Sequence, residues 1–406
     1  MNKLSIVLVG IGGYGNGYVK ELLENPGNRE YSIVGVVDPF PENAPSLPKL
    51  HEINVPVYDS LEGFYKEHRA DLAVISSPIH FHYQQTRLAL ENGSHVLCEK
   101  PVTATVQDAL KLIEARDEAG KMVGIGYQWS FSKAINALKQ DILAGKLGYP
   151  KRLKTIVLWP RDLDYYQRGW AGKKQDQQGN WILDSVANNA TAHFLHNMFY
   201  VIGPTMDSSG KIREVEAELY KANAIENFDT SIIRVITTDD VEILFYASHA
   251  VRQSVGPTFY YQFSEAVVQY DETNGVNKEI TVHFNDGTVR SYGDPTMESR
   301  RKLWVMIDAI INGEPIPCGI EAALTQTMCI NGAQESMLQI QRFPDKVIRF
   351  DETSNLIYVE GLEQILRENY LKWSMPSKAE VPWAKAGVTL DLTNYTYFPS
   401  LASLTR

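Results

Sequence analysis

The run Gly10-Ile11-Gly12-Gly13-Tyr14-Gly15 narrows the possible folds more than any other feature of the chain. It fits G-x-G-x-x-G, follows the apolar run Leu4–Val9 directly, and opens an amphipathic stretch predicted as a helix over Tyr14–Glu24. Strand, glycine turn and helix in this order form a dinucleotide-binding unit. Gly10 permits the tight turn, Gly12 lets the backbone approach a pyrophosphate, and Gly15 lets the helix close on the strand; Gly13 and Tyr14 complete the loop facing the phosphates. The next apolar run, Ser32–Val37, ends in Asp38. That is about 20 residues past the last glycine, where a carboxylate accepts hydrogen bonds from the adenosine ribose. Asp38 would repel a 2′-phosphate, so NAD is expected and NADP is less favoured. Either feature alone fits a ligand-free turn; together they favour a cofactor site.

The pattern of short β-branched runs alternating with helical stretches continues to about residue 125, through Leu72–Ser76, a helix over His82–Asn92, His95–Cys98, a helix over Val106–Ala119 and Met122–Gly126. Such alternation predicts βαβ units and a parallel sheet buried on both faces. Beyond about residue 150, strands with Asp, Asn or Gly turns predict a mostly antiparallel sheet. Helical patterns follow over Arg300–Asn312, Glu321–Arg342 and Glu360–Trp373. The expected division is a cofactor domain over 1–125, a substrate and oligomerisation domain over 126–376, and a tail over 377–406. The tail holds Trp383, Tyr395, Tyr397 and Phe398, too aromatic for a solvated end, and is expected to pack in cis or on a neighbouring subunit.

With 406 residues the chain is long enough for two domains, and its net charge of -10 argues against nucleic acid as a partner. No apolar run reaches the roughly 20 residues needed to span a bilayer. The three cysteines, Cys98, Cys318 and Cys329, form no CxxC pair and are expected as free thiols in a reducing, cytoplasmic setting. His80 and His82 have no nearby set to complete a zinc site, so no metal is expected.

Further motifs stand in order behind the glycine loop: Ser76-Ser77-Pro78 with His82, then Glu99-Lys100-Pro101 at the end of a strand, then Gly126-Tyr127-Gln128. With them the chain resembles the glucose-fructose oxidoreductase, inositol dehydrogenase and rhizopine-catabolism family, Gfo/Idh/MocA, over residues 4–150 and more weakly beyond. The resemblance implies an α/β chain: an N-terminal Rossmann doubly wound parallel sheet, then a C-terminal α/β domain with a large, mostly antiparallel open sheet. It also implies a homodimer or homotetramer through that sheet and a substrate cleft between the domains. Ser76, Ser77, Pro78, His82, Glu99, Lys100 and Gln128 are then cofactor contacts. Lys100 is also the expected catalytic group, for a physical reason: oxidising an alcohol needs a positioned proton acceptor, and burial draws a lysine toward neutrality. A surface lysine paired with Glu99 is the plainer alternative.

Relatives carry Asp-x-x-x-His at the start of a later helix. Counted back from Gly203, the matching stretch places His193 in the second catalytic position and Asn189 where the aspartate would be, with Asp184 just upstream. An amide holds a hydroxyl but cannot act as a base, so proton chemistry falls on Lys100 and His193. A helix starting near Asn188 is expected to carry Asn189, His193 and Asn197 along one face. The segment Trp159–Trp170 mixes indoles, guanidiniums and carboxylates as carbohydrate sites do, nominating Arg161, Tyr166, Arg168 and Trp170, with Gln128, as substrate contacts. Buried loop anchors would look the same. Ser130 stands where many relatives have Arg, which weakens the case for an anionic substrate.

The leading functional expectation is NAD-dependent hydride transfer to or from a secondary hydroxyl of a sugar, polyol or glycoside. Two alternatives stay open: redox-neutral glycoside cleavage through transient oxidation and elimination, and a non-catalytic NAD-binding regulator.

Overall fold

The computed structural model describes residues 3–273 and 277–400. Its first sheet is parallel and six-stranded, with β1 (Leu4–Val9), β2 (Tyr31–Val37), β3 (Val57–Tyr58), β4 (Leu72–Ile75), β5 (His95–Cys98) and β6 (Val123–Ile125) in the order β3-β2-β1-β4-β5-β6. The order reverses between β1 and β4, and the chain ends that bind ligands in such sheets lie at this switch point. Alternate residues of β1 serve opposite faces, as a strand's period of two requires. Val7 and Val9 pack toward the helices Ile79–Glu91 and Val106–Ala119, whereas Leu4, Ile6 and Leu8 pack against Tyr18, Val19 and Leu22 of the helix Asn16–Glu24. That second face is closed by Leu303, Met306 and Ile307 of the helix Arg301–Asn312. The cofactor half is therefore completed by a helix that the sequence reading assigned to the 126–376 domain.

The second sheet is built from β7 (Pro150–Leu158), β8 (Ile212–Lys221), β9 (Thr230–Thr237), β10 (Glu242–Ser248), β11 (Val255–Phe263), β12 (Ala266–Asp271), β13 (Asn277–Phe284), β14 (Val289–Gly293) and β15 (Gln341–Arg342). They run in the order β14-β13-β12-β11-β7-β10-β9-β8-β15, and Leu390–Asp391 of the tail pairs with β8. All neighbours are antiparallel except β10 with β7 and β15 with β8. The inner face packs on the helices Ala192–Val201 and Ile320–Ser336. On the outer face, Ile156, Leu158, Tyr220, Ile232, Leu244 and Tyr246 are covered by Phe343, Leu362, Leu366, Tyr370 and Met375 of the same chain. The sheet surface that the resemblance assigns to subunit contact is thus occupied in cis at its central strands.

The tail packs in cis as well. Tyr395 donates to Glu335 and Gln107 brackets the backbone of Phe398, whose ring meets Trp181 edge-on. The helix expected over Glu321–Arg342 ends at Ser336, and the Pro-rich stretch after Asp38 gives way to two unforeseen short helices, Leu47–Glu52 and Leu61–Glu67. Among the described residues, no helix is long and apolar enough to cross a membrane.

Candidate active site

The glycine loop has the shape its residues dictate. Gly10 sits at φ +76°, and a Cβ there would press on the Ser76–Ser77 backbone at 3.0 Å. A Cβ on Gly15 would fall 1.7 Å from the Gly10 carbonyl oxygen, so the helix closes on the strand only with glycine there. Around Gly12 and the exposed Gly13 no backbone crowds a Cβ, which leaves the loop open on the side a pyrophosphate would approach, although Gly13 also needs glycine for its φ of +41°. Asp38, at the tip of β2, accepts from Ile11 N (2.9 Å) and Gly12 N (3.2 Å) through Oδ2 and from Phe40 N through Oδ1. The expected ribose carboxylate therefore already braces the loop it would serve with. These groups fit a dinucleotide: a glycine cradle, a helix N-terminus beyond it and a carboxylate beside it.

His82 spans the two motif turns with which it was grouped. It is buried, with Nδ1 2.7 Å from Pro101 O and Nε2 2.9 Å from Ser77 O. Both nitrogens face carbonyls, so the ring ties the Ser76-Ser77-Pro78 turn to the turn after Lys100 instead of presenting a free edge. Ser77 donates to Gln85, and Pro78 immediately precedes the helix Ile79–Glu91.

Glu99 and Lys100, adjacent on the chain, diverge at the end of β5. Glu99 turns inward to Tyr18 OH and to the Lys302 ammonium, whose Nζ also donates to Gly126 O (2.9 Å) and Tyr14 OH (3.0 Å). Burial pushes the Glu99 carboxyl up, but Lys302 and Tyr18 outweigh it and hold it below the usual carboxylate range. A Cβ on Gly126 would stand 2.8 Å from the Glu99 carboxylate, so any larger residue there would have to displace Glu99 from Lys302. Gln128 accepts from Tyr14 OH at 3.4 Å and so extends the cluster.

Lys100 points the other way, into the second half of the molecule. Its Nζ donates to Asn189 O (2.6 Å) and Asn189 Oδ1 (3.1 Å), so the surface pairing with Glu99 does not form. Asn189 Nδ2 in turn donates to Asp184 Oδ1 at 2.9 Å, while Asp184 Oδ2 accepts from Gly172 N at 2.6 Å. This chain fixes the amide's orientation, with its oxygen on the ammonium and its nitrogen on the carboxylate. Burial lowers Lys100 to about 8, against the pull of Glu99 and with the help of Lys302. Burial likewise raises Asp184 to about 6.

The expected helix start near Asn188 is a correction. The helix begins at Ala192, and Asn189 sits in the turn before it, released from helical geometry so that its backbone and side-chain oxygens both reach Lys100. His193 lies in the first helical turn, packed edge-on to Tyr127 at 5.8 Å, with Nδ1 buried and unpartnered. Burial, followed by the Lys100 charge, drives its pKa well below the ordinary value, so it is neutral. Asn197 is fully buried and donates to Tyr261 OH, away from Lys100. Ser130 meets His196 Nε2 at 2.9 Å beneath Tyr127.

Among the substrate nominees, Arg161, Arg168 and Trp170 gather round Tyr165, a residue the sequence reading passed over; its hydroxyl lies 3.5 Å from Asn189 Nδ2. Tyr166 has a buried, unpartnered hydroxyl that burial pushes well up, with Asp229 and Asp184 close enough to add to the shift. Also missed was His249, at the end of β10, whose ring packs 5.6 Å from Tyr165 and whose Nε2 is buried without a partner. No one-dimensional signal distinguished it from an ordinary strand residue.

Residues 4–127 match the family model described as oxidoreductase family, NAD-binding Rossmann fold (GFO_IDH_MocA). The 1,5-anhydro-D-fructose reductase of Ensifer adhaerens is 31% identical over 141 residues, covering 34% of this chain and 41% of that protein. D-glucoside 3-dehydrogenase of Escherichia coli (strain K12) is 29% identical over 119 residues, 29% of this chain and 34% of its own length. The match therefore spans less than half of either relative. In three dimensions, the WlbA dehydrogenase of Bordetella pertussis, solved with NADH and UDP-GlcNAcA, aligns with a TM-score of 0.67 at 18% identity, over 82% of this chain and 97% of that one. At that identity the likeness speaks for the fold, and it takes in both sheets. Through its glycine loop, its Glu99-Lys100-Pro101 turn and the match itself, the segment 4–127 is similar to the Gfo/Idh/MocA oxidoreductase family and carries an NAD-binding Rossmann fold of that kind.

Proposed function

We propose that this protein is an NAD-dependent oxidoreductase that moves hydride to or from a secondary hydroxyl carbon of a sugar, polyol or glycoside, with Lys100 exchanging the hydroxyl proton. One observation carries the reading: a lysine amine, lowered to about 8, is held on Asn189 beside a neutral histidine at the edge of the dinucleotide fold. The names of the relatives add support, since anhydro-fructose and glucosides are polyhydroxylated rings.

The residues that would hold the cofactor are Gly10, Gly12, Gly13, Tyr14 and Gly15 at the phosphates, Asp38 at the ribose, and the Ser76-Ser77-Pro78 turn with Gln128 toward the reacting end. When bound, its nicotinamide accepts or returns the hydride. In oxidation, the neutral Lys100 amine takes the hydroxyl proton as the carbinol C–H electron pair departs with the hydride. In reduction, the ammonium returns that proton to the forming alkoxide. Asn189 aims the amine, and Asp184, anionic above about pH 6, steadies the ammonium through the amide. His193, neutral, offers a hydrogen bond to the same or a neighbouring hydroxyl. Glu99 is spent on Lys302, so it positions the strand end and leaves the proton to Lys100.

The test is a panel of monosaccharides, polyols and glycosides incubated with NAD, followed by NADH absorbance and product analysis. At least one substrate is expected to reduce NAD. Lys100→Met is expected to lose about 100-fold or more in kcat while still binding NADH by fluorescence. Undiminished turnover in that variant, or a wild-type protein that binds no NADH, overturns the assignment.

A further inference from the structure

Two arginines at the mouth of the site have no part in the proton chemistry. Arg168 is exposed, and its guanidinium lies 3.8 Å from the centre of the Tyr165 ring and 4.6 Å from that of Trp170. Arg161 lies 5.3 Å from Tyr165 and 5.9 Å from Trp159. Arg168 Nε donates to Tyr165 O, and its guanidinium also hydrogen-bonds the Tyr165 hydroxyl; Arg161 Nη1 donates to Pro160 O. Among the described residues neither forms an ion pair. The nearest carboxylates along the chain are committed elsewhere: Asp162 accepts from Tyr165 N, and Asp164 accepts from the amides of Gln167 and Asn355. An aromatic face fixes the plane of a guanidinium without consuming its N–H groups. Both forks therefore keep unused donors in a fixed orientation.

Tyr165 connects these forks to the reacting end. Its ring carries both guanidiniums, and its hydroxyl reaches Asn189, whose side-chain oxygen receives Lys100. The Tyr165 phenol and the Asn189 amide together link the arginines to the lysine. Their field is felt there too: Arg168 is among the charges that lower Lys100, and Arg161 is the first charge, after burial, that lowers His249 to about 3. The cation missing at Ser130 is thus made up around Tyr165, where the sequence showed arginines without showing what they faced.

We infer that the substrate is an acidic sugar, its reacting hydroxyl at Lys100 and His193 and its carboxylate or phosphate, beyond Asn189 and Tyr165, received by Arg161 and Arg168. This rests on the oxidoreductase reading proposed above and adds the substrate's charge to it. Arg forks match both oxyanions in geometry, so the two sources are separated by experiment.

The experiment is titration calorimetry of the full chain with glucose, glucuronate and glucose 6-phosphate at low salt, with and without saturating NADH, after NADH binding has been measured on its own. At least one acidic sugar is expected to bind about ten-fold or more tightly than glucose, and which one does so identifies the anion. The advantage is expected to vanish in the Arg161→Gln/Arg168→Gln double variant and to reverse in Arg168→Glu, whose exposed position tolerates substitution. Equal binding of neutral and acidic sugars, no binding by either acid, or an advantage that survives both variants overturns the inference. Failure to bind NADH defeats the oxidoreductase assignment instead, and the cofactor-free titrations then decide the charge preference alone.

Discussion

Glu99 and Lys302 are 203 residues apart in the chain and share a buried ion pair. The sequence marked Glu99 through its neighbours Lys100 and Pro101, yet gave no sign of its partner, because Lys302 lies in an Arg-Arg-Lys run that reads as a solvated helix start. Only tertiary packing strips it of water: Lys302 is fully buried and Glu99 nearly so. Removing one member of such a pair strands the other charge in a low-dielectric interior, which is worse than removing both. Lys302→Met is therefore expected to cost about 3–5 kcal/mol of unfolding free energy, and the double variant Glu99→Gln/Lys302→Met to recover part of it; urea denaturation measures both. A double-variant loss equal to the sum of the Glu99→Gln and Lys302→Met losses measured singly would show that the pair is not coupled. Lys100 and His193, by contrast, were legible as residues, whereas the amide clamp on Asn189 depended on a turn that spacing alone misread as helix.

At the scale of elements, periodicity identified the helix Arg301–Asn312 almost to the residue but not the sheet it serves. Its apolar stripe of Leu303, Met306 and Ile307 reads the same whichever sheet it covers. In the structure it closes the face of the first sheet opposite the helices Ile79–Glu91 and Val106–Ala119. It also delivers Lys302 to Glu99. Truncating Leu303, which is fully buried, to Ala is expected to destabilise the protein by about 2–5 kcal/mol and to weaken NADH binding along with stability. Thermal unfolding with and without NADH tests this; a loss of stability with unchanged NADH affinity would show that the helix supports the core without shaping the site. The strands of the second sheet were likewise legible one by one, but not their order, because β7 pairs with β10 and β11, which lie far from it in the chain.

Across the whole molecule, the first sheet supplies a cofactor loop and a lysine, and the second half supplies the amide, the carboxylate and the histidine that receive it. Neither half holds a complete proton site. The net charge of -10 coexists with a local excess of cations around Tyr165, so overall charge excluded polyanions without describing the cleft. We propose that the Lys100 amine, lowered by burial, is the group that takes the proton. The pH dependence of kcat in the direction of alcohol oxidation tests it most directly. Because the amine must be unprotonated to act, the rate is expected to rise with pH and level off above about 8, the value to which burial lowers Lys100, with the opposite dependence in the reductive direction. A rate that is flat from pH 6 to about 10, or a residual Lys100→Met activity with the same break near 8, would contradict it.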